Sequence, residues 1–157
     1  MRQTARAIII NDNKILLMYR NKYNHEYYSL VGGGIELNET PIEALYREVY
    51  EETNLKIDQA RLVIDENAGE IYGHHLIFLC RYVEGQLKLR EDSIEFELNE
   101  KGENVFKPVW VSIDQLDTVN LLPKELKITL ISMIKNGFPD EPIKLDANFN
   151  IFDKKGE

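Results

Sequence analysis

Apolar and polar positions change period several times along the chain, and each change marks an element. Residues 5–20 hold two strand-like runs, AIII and KILLMY, separated by Asn11-Asp12-Asn13. Asn and Asp tolerate the left-handed backbone of tight turns, so a hairpin is expected there. A shorter extended run goes from Tyr27 to Val31 and ends at Gly32-Gly33-Gly34. The period then becomes helical. Thr40 suits an N-cap, Pro41 takes the first helical position, and Glu43 completes a capping box. Ile42, Leu45 and Val49 form a stripe expected to face the core, and Asn54 suits the left-handed residue that closes the helix.

Residues 55–57 and 62–64 read as two extended pieces, and residues 75–82 as a central strand, apolar on both faces. Glu84-Gly85 is a turn, and residues 88–98 alternate weakly, as an edge strand or a loop. Residues 107–111 form a strand in which Pro108 favours the beginning or an edge. Ser112 or Asp114 caps a short turn, and Pro123 opens a second long helix with Leu126, Leu130 and Ile134 on one stripe and Gly137 as its stop. Mixed strands with two long helices predict an α+β or layered α/β/α fold, a mixed sheet between helices, in one domain over residues 1–157. Residues 138–157 carry three apolar clusters, either docked on the domain or joined to a partner chain, which leaves a homodimer open.

Composition narrows the class. With 43% hydrophobic and 29% charged residues the chain is an ordinary globular one. No apolar run reaches the roughly 20 residues of a membrane span. Cys80 is the only cysteine, which fits a reducing compartment, and a cytoplasmic location is expected. The balance of 27 acidic to 19 basic residues, net −8, disfavours nucleic acid as a partner. Phosphates would then need divalent cations for much of their countercharge. Arg6, Arg20, Lys22, Arg81 and Arg90 read as surface charges rather than a patch.

The candidate chemistry lies in residues 32–55. Glu48, Glu51 and Glu52 stand at i, i+3 and i+4 and share a helix face. Alone they read first as a solvated acidic face, and only their context points to hard oxygen ligands of the kind Mg²⁺ and Mn²⁺ prefer. The Gly triplet before the helix, read as a loop, could offer a carbonyl to a cation and N–H groups to a phosphate. Arg47 could reach Glu39 as a bidentate pair that ties this loop to the helix, or remain an exposed ion pair.

Gly33, five residues, Glu39, seven residues, Arg47-Glu48-Val49, one residue, Glu51-Glu52, one residue, Asn54-Leu55 resembles the Nudix box, departing only at Asn54, where the family has Gly. The resemblance implies a Nudix-like fold and hydrolysis of a nucleoside diphosphate linked to another group, a small molecule, with Mg²⁺ or Mn²⁺ as cofactor. By position it implies Glu48, Glu51, Glu52 and the Gly32 carbonyl as metal ligands, Arg47 and Glu39 as the orienting pair, and Gly33 and Gly34 at the substrate. Tyr28 stands where members often have Trp. It could stack on a base or simply pack its ring in the strand. Val31 and Asn38 replace residues frequent in the family, but neither is a proposed ligand. Glu95 or Glu97, in an acidic stretch over residues 91–103, is a candidate further ligand or base. His74, His75 and His25 are weaker candidates, Cys80 reads as an inert core thiol, and Trp110 as core. The alternative function is a non-catalytic nucleotide-binding module on the same fold. A third, RNA 5′-end processing, needs a basic groove that the net charge argues against.

Overall fold

The computed structural model describes residues 2–88 and 104–151. β1 (Gln3–Asn11) and β2 (Lys14–Lys22) form the expected hairpin. Asp12 and Asn13 both have positive φ, 53° and 58°, the backbone of a two-residue hairpin turn. A second turn of the same kind, at Tyr23-Asn24, leads into β3 (His25–Ser29). Strand β4 (Val31–Gly34) then returns along β1. The Gly triplet is therefore strand and not loop, because β1 supplies a pairing edge that local chemistry does not reveal.

Helix α1 (Pro41–Thr53) has the anticipated ends. Thr40 Oγ1 accepts from the Glu43 N–H at 3.1 Å, Glu43 Oε1 accepts from the Thr40 N–H at 2.9 Å, and Asn54 has φ 65°. Leu45 and Val49 are buried, but Ile42 is 40% exposed. It lies in the first turn, and Ala44 takes the buried place instead. The two extended pieces after α1 are one strand, β5 (Lys56–Asn67), whose interruptions are irregularities in its pairing with β6. The short α2 (Gly69–Tyr72) leads to β6 (His74–Glu84), which lies between β1 and β5. β7 (Asn104–Ser112) pairs with β2, and Pro108 lies within it opposite Met18. Among the described residues no other strand pairs with β7, as an edge requires. A 3-10 turn (Ile113–Thr118), α3 (Lys124–Asn136) and β8 (Ile143–Asp146) complete the order, with β8 parallel to β5. Residues 88–98 lie almost wholly outside the described residues, as do Arg90, Glu95 and Glu97.

The order β3-β2-β1-β6-β5-β8, with β4 on β1 and β7 on β2, makes a mixed sheet in which β1–β6 and β5–β8 are parallel. Alternation along β1 decides the layering. Ala5, Ala7 and Ile9 pack with Ala44, Leu45 and Val49 of α1, whereas Ile8 packs with Leu126, Leu130 and Met133 of α3. The sheet thus lies between two helices, and Thr4 and Arg6 share the parity of Ile8. Among the described residues no helix is long and apolar enough to cross a membrane.

Candidate active site

Arg47 is the hub where α1 faces β4. Its Nε and Nη2 donate to the two carboxylate oxygens of Glu39 at 2.7 and 2.9 Å, a bidentate pair. Nη1 donates to Glu48 at 3.0 Å and lies 3.6 Å from Glu51, and Nη2 donates to the Gly34 carbonyl at 3.2 Å. The Glu36 N–H also donates to Glu39, at 2.9 Å. Together these bonds hold the Glu39 carboxyl down at about 2, against an ordinary 4.5, with Arg47 the largest cause. One side chain thus fixes the connection before α1, the end of β4 and the acidic face of the helix.

The three helix carboxylates do not converge on one point. Among the described residues no three His, Cys, Asp or Glu side chains are placed to hold an ion as they stand. The guanidinium of Arg47 reaches Glu48 and Glu51 and offsets their repulsion. Glu52 is only 4% exposed. The donor set still fits a hard divalent cation: carboxylates on one helix face, and a backbone pressed close to one of them. A Cβ on Gly33 would stand 2.5 Å from the Glu48 carboxylate. The Gly32 carbonyl accepts from Arg6 Nη1 at 2.9 Å and keeps a second lone pair.

The two glycines should therefore fail differently. A Cβ on Gly32 would meet the Ala5 carbonyl oxygen at 2.1 Å, and its φ is 137°, so Gly32→Ala should lower the melting temperature markedly. Gly33→Ala collides only with the end of a flexible side chain. It should keep its melting temperature within a few degrees while displacing Glu48 and losing turnover. Melting curves and initial rates on the two variants check this, and equal stability loss in both would refute it.

Arg6 is not a lone surface charge. It is half-buried, and it also donates to Thr4 Oγ1 at 3.3 Å. Burial pulls its pKa below the ordinary value, while the charges of Glu52 and Glu48 oppose that shift. It opens on a cavity of about 200 Å³ on the α3 side of the sheet, lined also by Arg2, Arg20, Lys22, Ser29 and Glu66. Four cations thus gather at one place in a chain of net charge −8. Composition hides this. The signal lay in parity, since Thr4 and Arg6 interrupt an otherwise apolar strand on one face only. Arg20 lies 4.1 Å over the Phe106 ring and 5.6 Å over that of Tyr27.

Tyr27, Tyr72 and Phe149 line the cavity, whereas Tyr28 does not. Neighbouring strand residues face opposite ways, and Tyr28 packs edge-on to Tyr19, with ring centres 5.5 Å apart. His75 lines the cavity and is hydrogen-bonded to Thr4, with its pKa pushed down to about 3, mainly by burial and then by Arg6 and Arg2. It is neutral at ordinary pH. His74 pairs with Asp65 and Gln3, and His25 begins β3. Burial raises the Cys80 thiol to about 12, as an inert core thiol requires. Trp110 packs against Tyr82 at 5.9 Å.

Comparison with known proteins follows the same line. Residues 1–135 match the family model described as NUDIX domain. An ADP-ribose pyrophosphatase of Methanocaldococcus jannaschii is 37% identical over 101 residues, 59% of this chain and 60% of that protein. An NAD-capped RNA hydrolase NudC of Edwardsiella ictaluri is 31% identical over 88 residues, 54% of this chain and 34% of that protein. The chain thus spans less than two thirds of the length of these relatives. The crystal structure of an ADP-ribose pyrophosphatase from Streptococcus suis superposes with a TM-score of 0.63 at 19% identity, covering 92% of this chain and 98% of that one. A NUDIX hydrolase from Nitrosomonas europaea gives 0.68 at 15% identity, over 92% and 78%. At these identities the structures attest the fold.

Proposed function

Since the chain belongs to the NUDIX domain family, we propose that it hydrolyses a phosphoanhydride bond in a small nucleoside diphosphate linked to a second group, using Mg²⁺ or Mn²⁺ held at α1. The observation that carries this reading is the acidic face of α1, locked to β4 through Arg47 and Glu39. Glu48, Glu51, Glu52 and the Gly32 carbonyl would hold the cation. When bound, it supplies an acidified water and neutralises phosphate charge.

The chain's own residues do the rest. Arg6 places a fixed positive charge beside the Gly32 carbonyl, where anionic phosphate oxygens gain from it. Arg47 and Glu39 hold the helix face in register with β4. A positioned carboxylate of α1 takes the proton from the attacking water. ADP-ribose and NAD, which occur in the relatives' names, are both nucleoside diphosphates joined to a sugar-bearing group. A small molecule is favoured over RNA because the cations line a ring-sized cavity in an acidic chain. A purely binding module would gain nothing from three like charges on one turn of helix.

The test is a panel of nucleoside diphosphate derivatives with product identification. Hydrolysis should stop in excess EDTA and return with Mg²⁺ or Mn²⁺, and undiminished hydrolysis in EDTA would refute the reading. Tight nucleotide binding without turnover of any panel member would instead favour the binding module.

A further inference from the structure

Glu66 is a buried carboxyl with no role in the chemistry above. It is 2% exposed, it lines the cavity beside Arg6, and among the described residues its Oε2 has no hydrogen-bond partner. Ser29 Oγ, on the same cavity, is also without one. Buried polar atoms are nearly always paired, so two unpaired ones facing the same space point to a ligand that completes them. Its surroundings are defined on every side. Arg2 comes from just before β1, Arg6 from β1, Arg20 and Lys22 from β2, His75 lies opposite on β6, Leu145 opposite on β8, and Glu125 on α3 adds a like charge.

A cavity of about 200 Å³ holds one ring rather than a whole nucleotide, since a 150 Å³ cavity takes about one benzene. Its cations suit an attached phosphate. A carboxylate accepts only, and with two oxygens it matches two neighbouring donors on one ligand edge.

We propose that Glu66 is a specificity-determining residue that accepts hydrogen bonds from two adjacent donors on the ring of the substrate's non-phosphate part. This rests on the hydrolase reading. Two sources carry such a donor pair, the vicinal diol of a sugar and the amino–imino edge of a guanine-type base. Burial raises the Glu66 carboxyl to about 7, with Arg6 opposing and Glu125 adding to the shift, so the accepting form predominates at pH 8.

The experiment measures binding without turnover, on metal-free protein at pH 8, by calorimetry. Ribose 5-phosphate is compared with 2-deoxyribose 5-phosphate, and GMP with IMP, each pair differing by one donor. The wild type should prefer the two-donor member of one pair by about 10- to 100-fold, the range for hydrogen bonds to a charged group. The pair that discriminates identifies the source. Glu66→Gln should abolish the preference while folding normally, and Glu66→Asp should restore part of it. No preference in either pair, or a preference that survives Glu66→Gln, overturns the proposal. Hydrolysis of the panel is followed separately. Turnover without discrimination removes the role of Glu66 alone, whereas discrimination without turnover removes the hydrolase reading alone.

Discussion

Glu52→Gln and Glu51→Gln each lower turnover by about 10²–10⁴-fold, the range for losing a positioned proton acceptor. Gln keeps the size of Glu but loses its charge, so it neither holds a hard cation well nor takes a proton. Stability separates the two variants. Glu51 is partly exposed, and neutralising it relieves repulsion from Glu48 but gives up its contact with Arg47, so stability should change by no more than a few tenths of a kcal/mol. Glu52 is buried and offsets the charge of half-buried Arg6, so its loss should cost about 1–2 kcal/mol, a few degrees of melting temperature. Mg²⁺ should raise the melting temperature of the wild type more than that of either variant, because a ligand of the folded state stabilises by mass action. Wild-type turnover in both variants on a confirmed substrate would remove α1 from the chemistry.

Arg47→Lys lowers turnover by about 10²-fold, the scale of a misplacement near 1 Å in a reacting site. An ammonium cannot make two parallel bonds to Glu39 and also reach Glu48 and Gly34, as the planar guanidinium does. The variant also changes how acid acts on the protein. Glu39 has a pKa of about 2 in the folded state against 4.5 ordinarily, so its pairing stabilises the fold fully above pH 4.5. That contribution fades as pH falls toward 2. The wild type should therefore unfold at higher urea than Arg47→Lys at pH 6, and the gap should narrow through pH 4 and 3. A gap constant with pH would show that Glu39 and Arg47 are not coupled.

What was legible in the sequence was local chemistry. The α1 caps, the Asp12-Asn13 turn and the spacing of Arg47 from Glu39 depend on residues close in the chain, and the structure holds each of them. Long-range pairing was less visible. The Gly triplet reads as a loop until β1 lies beside it, and β5 reads as two pieces because its pairing irregularities resemble a break. Arg6, Lys22 and Glu66 lie far apart in sequence, so no spacing rule connects them. They meet because strands β1, β2 and β5 are brought to one face of the sheet. Tyr28 stood out by its position in a motif, with base stacking and ring packing both open, and strand alternation puts its neighbour Tyr27 on the cavity while Tyr28 packs on Tyr19.

The placement of β1 bears on how the chain acquires its structure. The strand begins at residue 3, yet its parallel neighbour β6 begins only at residue 74, and β4 occupies part of its other edge. Pairing it on both sides closes a loop of about seventy residues, an entropic cost that must be met before the contacts reward it. On the ribosome the β1–β2 hairpin and α1 emerge early, but the middle of the sheet stays open until β6 follows. Nucleation is accordingly expected where β1 and β6 meet, and substitutions such as Ile77→Val should slow refolding more than they speed unfolding.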